Sequence, residues 1–323
     1  MQIVLPGALP DPREARELTP YVLKAAPTLA GWLQQSHAAV QTTNPAETGC
    51  TPYEQWLLGA LEFKPGAGQN LSSGLGPLWL NNSAPFDQFP EPPAKSDQIV
   101  WLTELVHVSP SRDGAALLPA RELAISTDQS VALFESAQRL FEGTGFALHH
   151  TGAERWRIDI PKDFAPLCAS PLLVGISSVN DWWPQDIAAR PWRRLVNELQ
   201  MLWFENPVNQ TRSDQGLAPI NSLWLFGGAA ANQFPDRRPR KEAKTYDALL
   251  APSLKHDWGN WVDALSELER SVFQPMAQHK TTPEIVLIGR ERIVELKPKA
   301  LGRWTRWLPG GNQSWSKWWS PQN

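Results

Sequence analysis

Residues 206–228, NPVNQTRSDQGLAPINSLWLFGG, concentrate groups suited to holding an anion. Asn209 and Asn221 carry amide donors and acceptors, and Arg212 carries a planar fork that matches a carboxylate or a phosphate. Gly227 and Gly228 would let backbone N–H groups approach a ligand closely, and Gly216 completes the set of ligand-binding candidates. The same residues also read as a frame. Asn209 then caps a turn, Gly216 takes a positive φ, Pro219 opens a strand and Arg212 pairs with Glu205 or Asp214. From residue types alone both readings stand.

No catalytic residue is identified elsewhere. The histidines are His37, His107, His149, His150, His256 and His279, and none forms the i, i+4 pair around a glutamate that a zinc protease needs. A nucleophile elbow, a phosphate loop of the GxxxxGK type and a dinucleotide GxGxxG are also missing. His149 and His150 fall in a predicted strand, so their side chains point to opposite faces and cannot chelate one ion, leaving one packed and one solvated. His256-Asp257 reads as a surface turn. Cys50 and Cys168 lie in no metal or redox spacing and read as small buried apolar residues. No metal ligands and no cofactor are assigned.

The elements that must position these groups are legible in part. TPYEQWLLGALEF, 51–63, predicts a helix opened by a Thr51/Glu54 capping box, with Trp56, Leu57, Ala60 and Leu61 on one face. From 64 to 97 glycine, proline, asparagine and serine predominate, which predicts a linker. IVWLTELVHV, 99–108, predicts a strand. A helix follows from a Ser126/Gln129 capping box, with Leu133, Phe134, Ala137, Leu140 and Phe141 on one side and Gly143 and Gly145 at its end. FALHH and ERWRIDI then predict a hairpin in which Trp156, Ile158 and Ile160 face inward. RPWRRLVNELQMLWFE, 190–205, predicts a helix with Pro191 in its first turn and Trp192, Leu195, Leu199 and Leu202 packed, and EIVLIGRERIVEL a hairpin turning at Gly289-Arg290. This order of elements implies a mixed α/β or α+β fold. The expected organisation is an N-terminal region 1–97 with its linker at 64–97, a domain at 98–296 and a Trp-rich tail at 297–323.

Composition limits the function classes. With 323 residues, 42% of them hydrophobic, the chain can bury a core, and a net charge of −3 provides no general field for nucleic acid. No run reaches the length of a membrane span and the first residues lack a signal-peptide pattern, so a soluble cytoplasmic protein is expected. Many of the 17 tryptophans must be packed rather than displayed, and their N–H groups need partners when buried. In the tail, Trp304, Trp307, Trp315, Trp318 and Trp319 alternate with Lys297, Lys299, Arg303, Arg306 and Lys317. That pattern suits either a weak membrane or partner contact over 304–319, or packing back onto the domain.

The 206–228 stretch resembles a motif of archaeal-type cofactor-independent phosphoglycerate mutases, an HPVN followed by Arg, Gly and PAN ahead of an apolar strand ending in Arg-Gly. Asn209, Arg212, Gly216, Pro219 and Asn221 match it in order and spacing. Over 99–230, including RRLVNELQMLWFENPVN and INSLWLFGG, the chain is similar to a group of bacterial regulatory proteins of the RpfE type. The resemblance implies a partial mutase-like domain. The mutase pattern of an Asp-Gly-x-Gly-Asp segment near the start and Asp and His ligands near the end is not present, and Phe226 stands where that motif has arginine. Arg237, Arg238, Arg240 and Lys241 either replace it or form a solvated charged loop. The expectation is therefore a non-catalytic, mutase-like protein with a regulatory role that binds a small anionic ligand or a protein partner. The alternatives are an active mutase or phosphatase, which would require Mn²⁺ or Zn²⁺, and an interaction module using the Trp-rich surface and tail.

Overall fold

The computed structural model describes residues 2–80, 93–112, 114–235, 243–278, 282–299 and 315–321. It forms two compact units, one gathering Met1–Asn44 with Pro239–Asn323 and the other Pro45–Ser83 with Pro90–Arg238. Each contains a sheet covered by helices, a mixed α/β architecture as the order of elements implies. The composition-based boundaries at 97 and 296 do not coincide with these units, because strand pairing joins the two ends of the chain.

In the first unit the strands run in the order β2-β10-β9-β1-β8, where β1 is Gln2–Leu9, β2 Ser36–Thr42, β8 Ala243–Thr245, β9 Glu284–Gly289 and β10 Arg292–Pro298. β1 pairs in parallel with β8 and β9 and is buried along nearly its whole length, the burial that explains its continuous apolar run. β9 and β10 form the expected antiparallel hairpin, and β2 lies at the edge with most residues exposed. Helices Pro12–Ala25, Pro27–Gln34 and Trp258–Leu268 contribute Val22, Trp32, Trp261 and Leu265 to one core with Ile3, Leu287 and Val294. A π-helical turn, Glu269–Phe273, buries Glu269 so that its carboxylate accepts from the N–H groups of Thr28 (3.0 Å) and Leu29 (3.4 Å), orphan donors at the start of helix Pro27–Gln34. Part of the tail packs back here: Trp315 and Trp319 are buried, and Trp319 Nε1 donates to the Ala15 carbonyl at 2.8 Å. Trp304 and Trp307 lie outside the described residues, as do Arg237, Arg238, Arg240 and Lys241.

The second unit is built on β3, Ile99–Ser111. Its first half is flanked by β6 (Arg155–Asp159) and β7 (Ser222–Ala230), its second half by β4 (Gly114–Leu118), and β5 (Ala147–His150) pairs with β6, every pairing antiparallel. The 147–159 hairpin and both capping boxes, Thr51/Glu54 and Ser126/Gln129, form as expected. Three buried indoles of this unit have partners: Trp156 donates to Ser130 Oγ at 3.0 Å, Trp203 to Ser136 Oγ at 3.1 Å and Trp224 to the Ala169 carbonyl at 2.9 Å.

Two expectations need correction. The linker expected at 64–97 contains a buried 3₁₀ turn and short helix, Leu71–Gly74 and Leu75–Trp79, packed on β7 and β3. Gly76 is used there for closeness, since a Cβ on it would stand 2.3 Å from the Val100 carbonyl oxygen. In helix Arg190–Phe204, Trp192, Leu195 and Leu199 are buried as expected, but Leu202 is 42% exposed and Trp203 takes the last packed position.

Candidate functional site

The 206–228 segment is a helix, Pro207–Asp214, followed by a turn and the buried strand β7. Asn206 caps the helix, its Oδ1 accepting from the Val208 N–H at 3.0 Å, so Asn209 is free for another task. Asn209 is buried. Its Nδ2 donates to the carbonyls of Trp203 (2.9 Å) and Ile220 (2.7 Å), and its Oδ1 accepts from the Ile220 N–H at 2.8 Å. This amide adds a donor to the Trp203 carbonyl, which also accepts the Asn206 N–H at 3.2 Å, and joins the end of helix Arg190–Phe204 to the residue leading into β7.

Arg212 is fully buried. Nε donates to the Ala218 carbonyl (2.9 Å), Nη1 to Gln129 Oε1 (2.9 Å) and Nη2 to the Leu123 carbonyl (2.6 Å). Burial lowers its pKa from the ordinary arginine value, and the three acceptors supply the partial negative charge that holds the cation in place. The pairing with Glu205 or Asp214 that sequence allowed is replaced by these three bonds. Asn221 copies a strand residue with its side chain, donating to the Val108 carbonyl and accepting from the Val108 N–H, both at 2.8 Å. It thereby extends the β3–β7 ladder one step past Ser222↔Val106. Gly216 sits at φ 71° just after the helix, the left-handed position expected for it. Gly227 and Gly228 have φ 99° and 107°, and a Cβ on them would lie 2.7 Å from the Val100 oxygen and 2.6 Å from the Trp101 ring. The close approach expected of these glycines is thus made to β3.

The structure does bring Asn209 and Asn221 together, in the wall of a groove of about 810 Å³ formed by β3, β4 and the helices Arg190–Phe204 and Pro207–Asp214. Val108, Ala115, Trp203 and Pro219 make its apolar surface, and Gln200, Gln210, Ser213 and Asp214 provide polar edges. Phe204, also lining it, is 82% exposed, and Met201 on the same helix end is 77% exposed. Sequence reading passed over both, since a helical wheel assigns them only to the outer face.

A second constellation of the same unit was not foreseen. Glu54, beyond its capping role, is buried and accepts from Thr51 N–H (2.9 Å), Thr51 Oγ1 (2.8 Å) and Ser170 Oγ (2.6 Å). Glu104 is buried too, accepting from Arg155 Nε at 2.8 Å and from the Ala120 N–H at 3.1 Å. Burial raises the pKa of both carboxyls and the hydrogen bonds only partly offset it. Burial opposes the charge on Arg155, but Glu104 outweighs this and leaves its pKa raised. Cys50 and Cys168 are buried as expected, and burial pushes the Cys168 thiol up to about 12.

Histidine placement follows the same logic of engaged side chains. His149 is exposed and meets Asp159 at 2.7 Å, while His150 is half-buried against Ser130 Oγ at 3.2 Å, the division expected for neighbours on a strand. His107 Nδ1 contacts the Pro219 carbonyl at 2.8 Å, and His256 lies between Glu14 and Arg290. Among the described residues no three His, Cys, Asp or Glu side chains gather as metal ligands would. No helix among them is long and apolar enough to cross a membrane.

Fold and groove together define a mixed α/β protein of two sheet units with a framed, partly apolar groove in one of them. Among solved structures, the chain is similar to a cofactor-independent phosphoglycerate mutase from Thermoplasma acidophilum, at 10% identity and a TM-score of 0.35 over 93% of this chain and 90% of that one. It is also similar to the PH0037 protein from Pyrococcus horikoshii, at 13% identity and a TM-score of 0.42 over 91% and 86% of the two chains. No protein-family model and no curated protein matches it.

Proposed function

We propose that this chain is a non-catalytic binding protein whose groove between β3, β4 and the helices Arg190–Phe204 and Pro207–Asp214 receives an apolar or aromatic group of a partner. The observation that carries this reading is a division of labour. Asn209, Arg212 and Asn221 are spent on backbone and on Gln129, whereas Phe204, which lines the groove, is left open to solvent, as is Met201 three residues before it on the same helix. Groups with satisfied hydrogen bonds frame a site, and exposed large apolar side chains supply binding energy when covered. The regulatory role implied by the likeness to RpfE-type proteins agrees with a module that acts by binding. A small anionic ligand remains the second reading, with Asn209 and Asn221 on the groove wall in its favour; Arg212, fully buried, would act on it only through the frame.

Thermal-shift and fluorescence titrations separate these readings. The expected result is saturable binding of the uncharged apolar dye Nile red, reported by the dye's own emission and reduced at least about fivefold by Phe204→Ser, with no melting shift from 3-phosphoglycerate. A ligand at about 100 times its Kd adds about 2.7 kcal/mol to the folded state, so an absent shift is informative. Stabilisation by 3-phosphoglycerate that requires Mn²⁺ would overturn the proposal in favour of the enzyme, and dye binding indifferent to Phe204→Ser would remove the groove from it.

A further inference from the structure

In the first unit a second cavity, about 830 Å³, lies between helices Pro12–Ala25 and Trp258–Leu268. Its floor is apolar, from Leu18 and Val262, and Tyr21 and Trp258 contribute aromatic surface, Tyr21 being 58% exposed. Its charged lining is of one sign only: Glu14, Glu17 and Asp263. Glu14 and Glu17 are one helical step apart and Tyr21 follows four residues later, so all three share a face.

Glu17 and Asp263 line the cavity as exposed carboxylates, while Glu14 is engaged at its edge by His256. Glu14 Oε1 meets His256 Nδ1 at 2.8 Å, and Arg290 Nη1 meets His256 Nε2 at 2.8 Å. A guanidinium can only donate, so Nε2 accepts from Arg290 and Nδ1 is left to face Glu14. Arg290 is thus turned toward the imidazole rather than toward Glu14. Glu14 Oε2 is buried without a hydrogen-bond donor, an expensive condition that an incoming N–H group relieves. His256 is held in this bridge at φ 52°, a left-handed conformation uncommon for a residue with a side chain.

We propose that this cleft docks a basic peptide segment of a partner protein, with an arginine side chain placed between the carboxylates and its stem and plane against Tyr21 and Trp258. Arginine combines the two properties the cleft presents partners for, a flat cation that stacks on aromatic rings and several donors for carboxylate oxygens. The cavity is much larger than one side chain, which favours a peptide over a small amine.

The test is fluorescence anisotropy of the full chain with a labelled nonapeptide of alternating arginine and leucine, beside a version with glutamate in place of arginine. Saturable binding of the arginine peptide alone, weakening with salt, is expected. Glu17→Gln with Asp263→Asn, both at exposed positions, should weaken it about tenfold. Tyr21→Ala should weaken it further while circular dichroism and melting stay near wild type. Equal binding of the glutamate peptide, or affinity unchanged in these variants, overturns the proposal. Full displacement by spermine at comparable concentration does so as well, assigning the cleft to a small polyamine.

Discussion

Arg212 Nη1 donates to Gln129 Oε1 at 2.9 Å, and the same oxygen accepts the Ser126 N–H at 3.3 Å to close the capping box of helix Thr127–Phe141. A cation from one helix and the cap of another, 83 residues apart, thus share one amide oxygen. Removing the guanidinium strands the carbonyls of Leu123 and Ala218 in a buried site. Arg212→Ala should therefore cost about 3 kcal/mol of folding stability, and Arg212→Lys should recover little of it because an ammonium cannot reproduce the fork. Urea denaturation of the two variants measures this; wild-type stability in Arg212→Ala would assign the residue to ligand contact instead.

Gly227 and Gly228 carry a stability prediction as well. Each has a positive φ, and a methyl group on either would enter β3, at the Val100 carbonyl or the Trp101 ring. Gly227→Ala and Gly228→Ala should each cost about 1–3 kcal/mol, read as a lower denaturation midpoint. Gly216→Ala, with open space around its Cβ position, should show only the smaller cost of φ 71°, on the order of 1 kcal/mol.

The buried carboxyl of Glu54 makes stability fall with rising pH. Burial raises its pKa above the ordinary value of 4.5, so the folded chain holds the proton more tightly than the unfolded one. That contribution is complete below 4.5 and is lost as pH climbs from there through the raised value. Glu54→Gln keeps an oxygen to accept from Thr51 and Ser170 but has no proton to lose. Its melting temperature should depend less on pH than that of wild type above 4.5, and parallel profiles for the two proteins would refute the linkage.

Both thiols should be silent in the native protein. Burial holds Cys168 near 12 and raises Cys50 well above the ordinary thiol value, so neither forms thiolate at neutral pH. A chromogenic disulfide reagent should report no reactive thiol until denaturant is added, and then two. Fast reaction of either thiol in native buffer would contradict its burial.

Truncating Trp319 should loosen the first unit. Its ring is buried and its Nε1 bonds the Ala15 carbonyl, so Trp319→Ala should cost about 3–5 kcal/mol by calorimetry. A near-neutral effect would mean that the end of the tail contributes no packing energy.

What the sequence determined by itself was local. Capping boxes at Thr51/Glu54 and Ser126/Gln129, the 147–159 hairpin, the hairpin at Gly289-Arg290 and the division of His149 from His150 all depend on residues within one turn or one strand, and periodicity and cap chemistry suffice for them. The tertiary structure decided where long side chains spend their hydrogen bonds. Nothing near Arg212 in sequence names Leu123 or Gln129 as its acceptors, and nothing near Glu54 names Ser170. The Gly- and Pro-rich run at 71–79 has the composition of a linker, yet its small residues let the backbone lie against β3 and β7. A polar residue's type states which bonds it can make, but only the packing of distant segments states whether a ligand or the protein itself is the partner, because burial turns an unmade bond into a penalty of several kcal/mol.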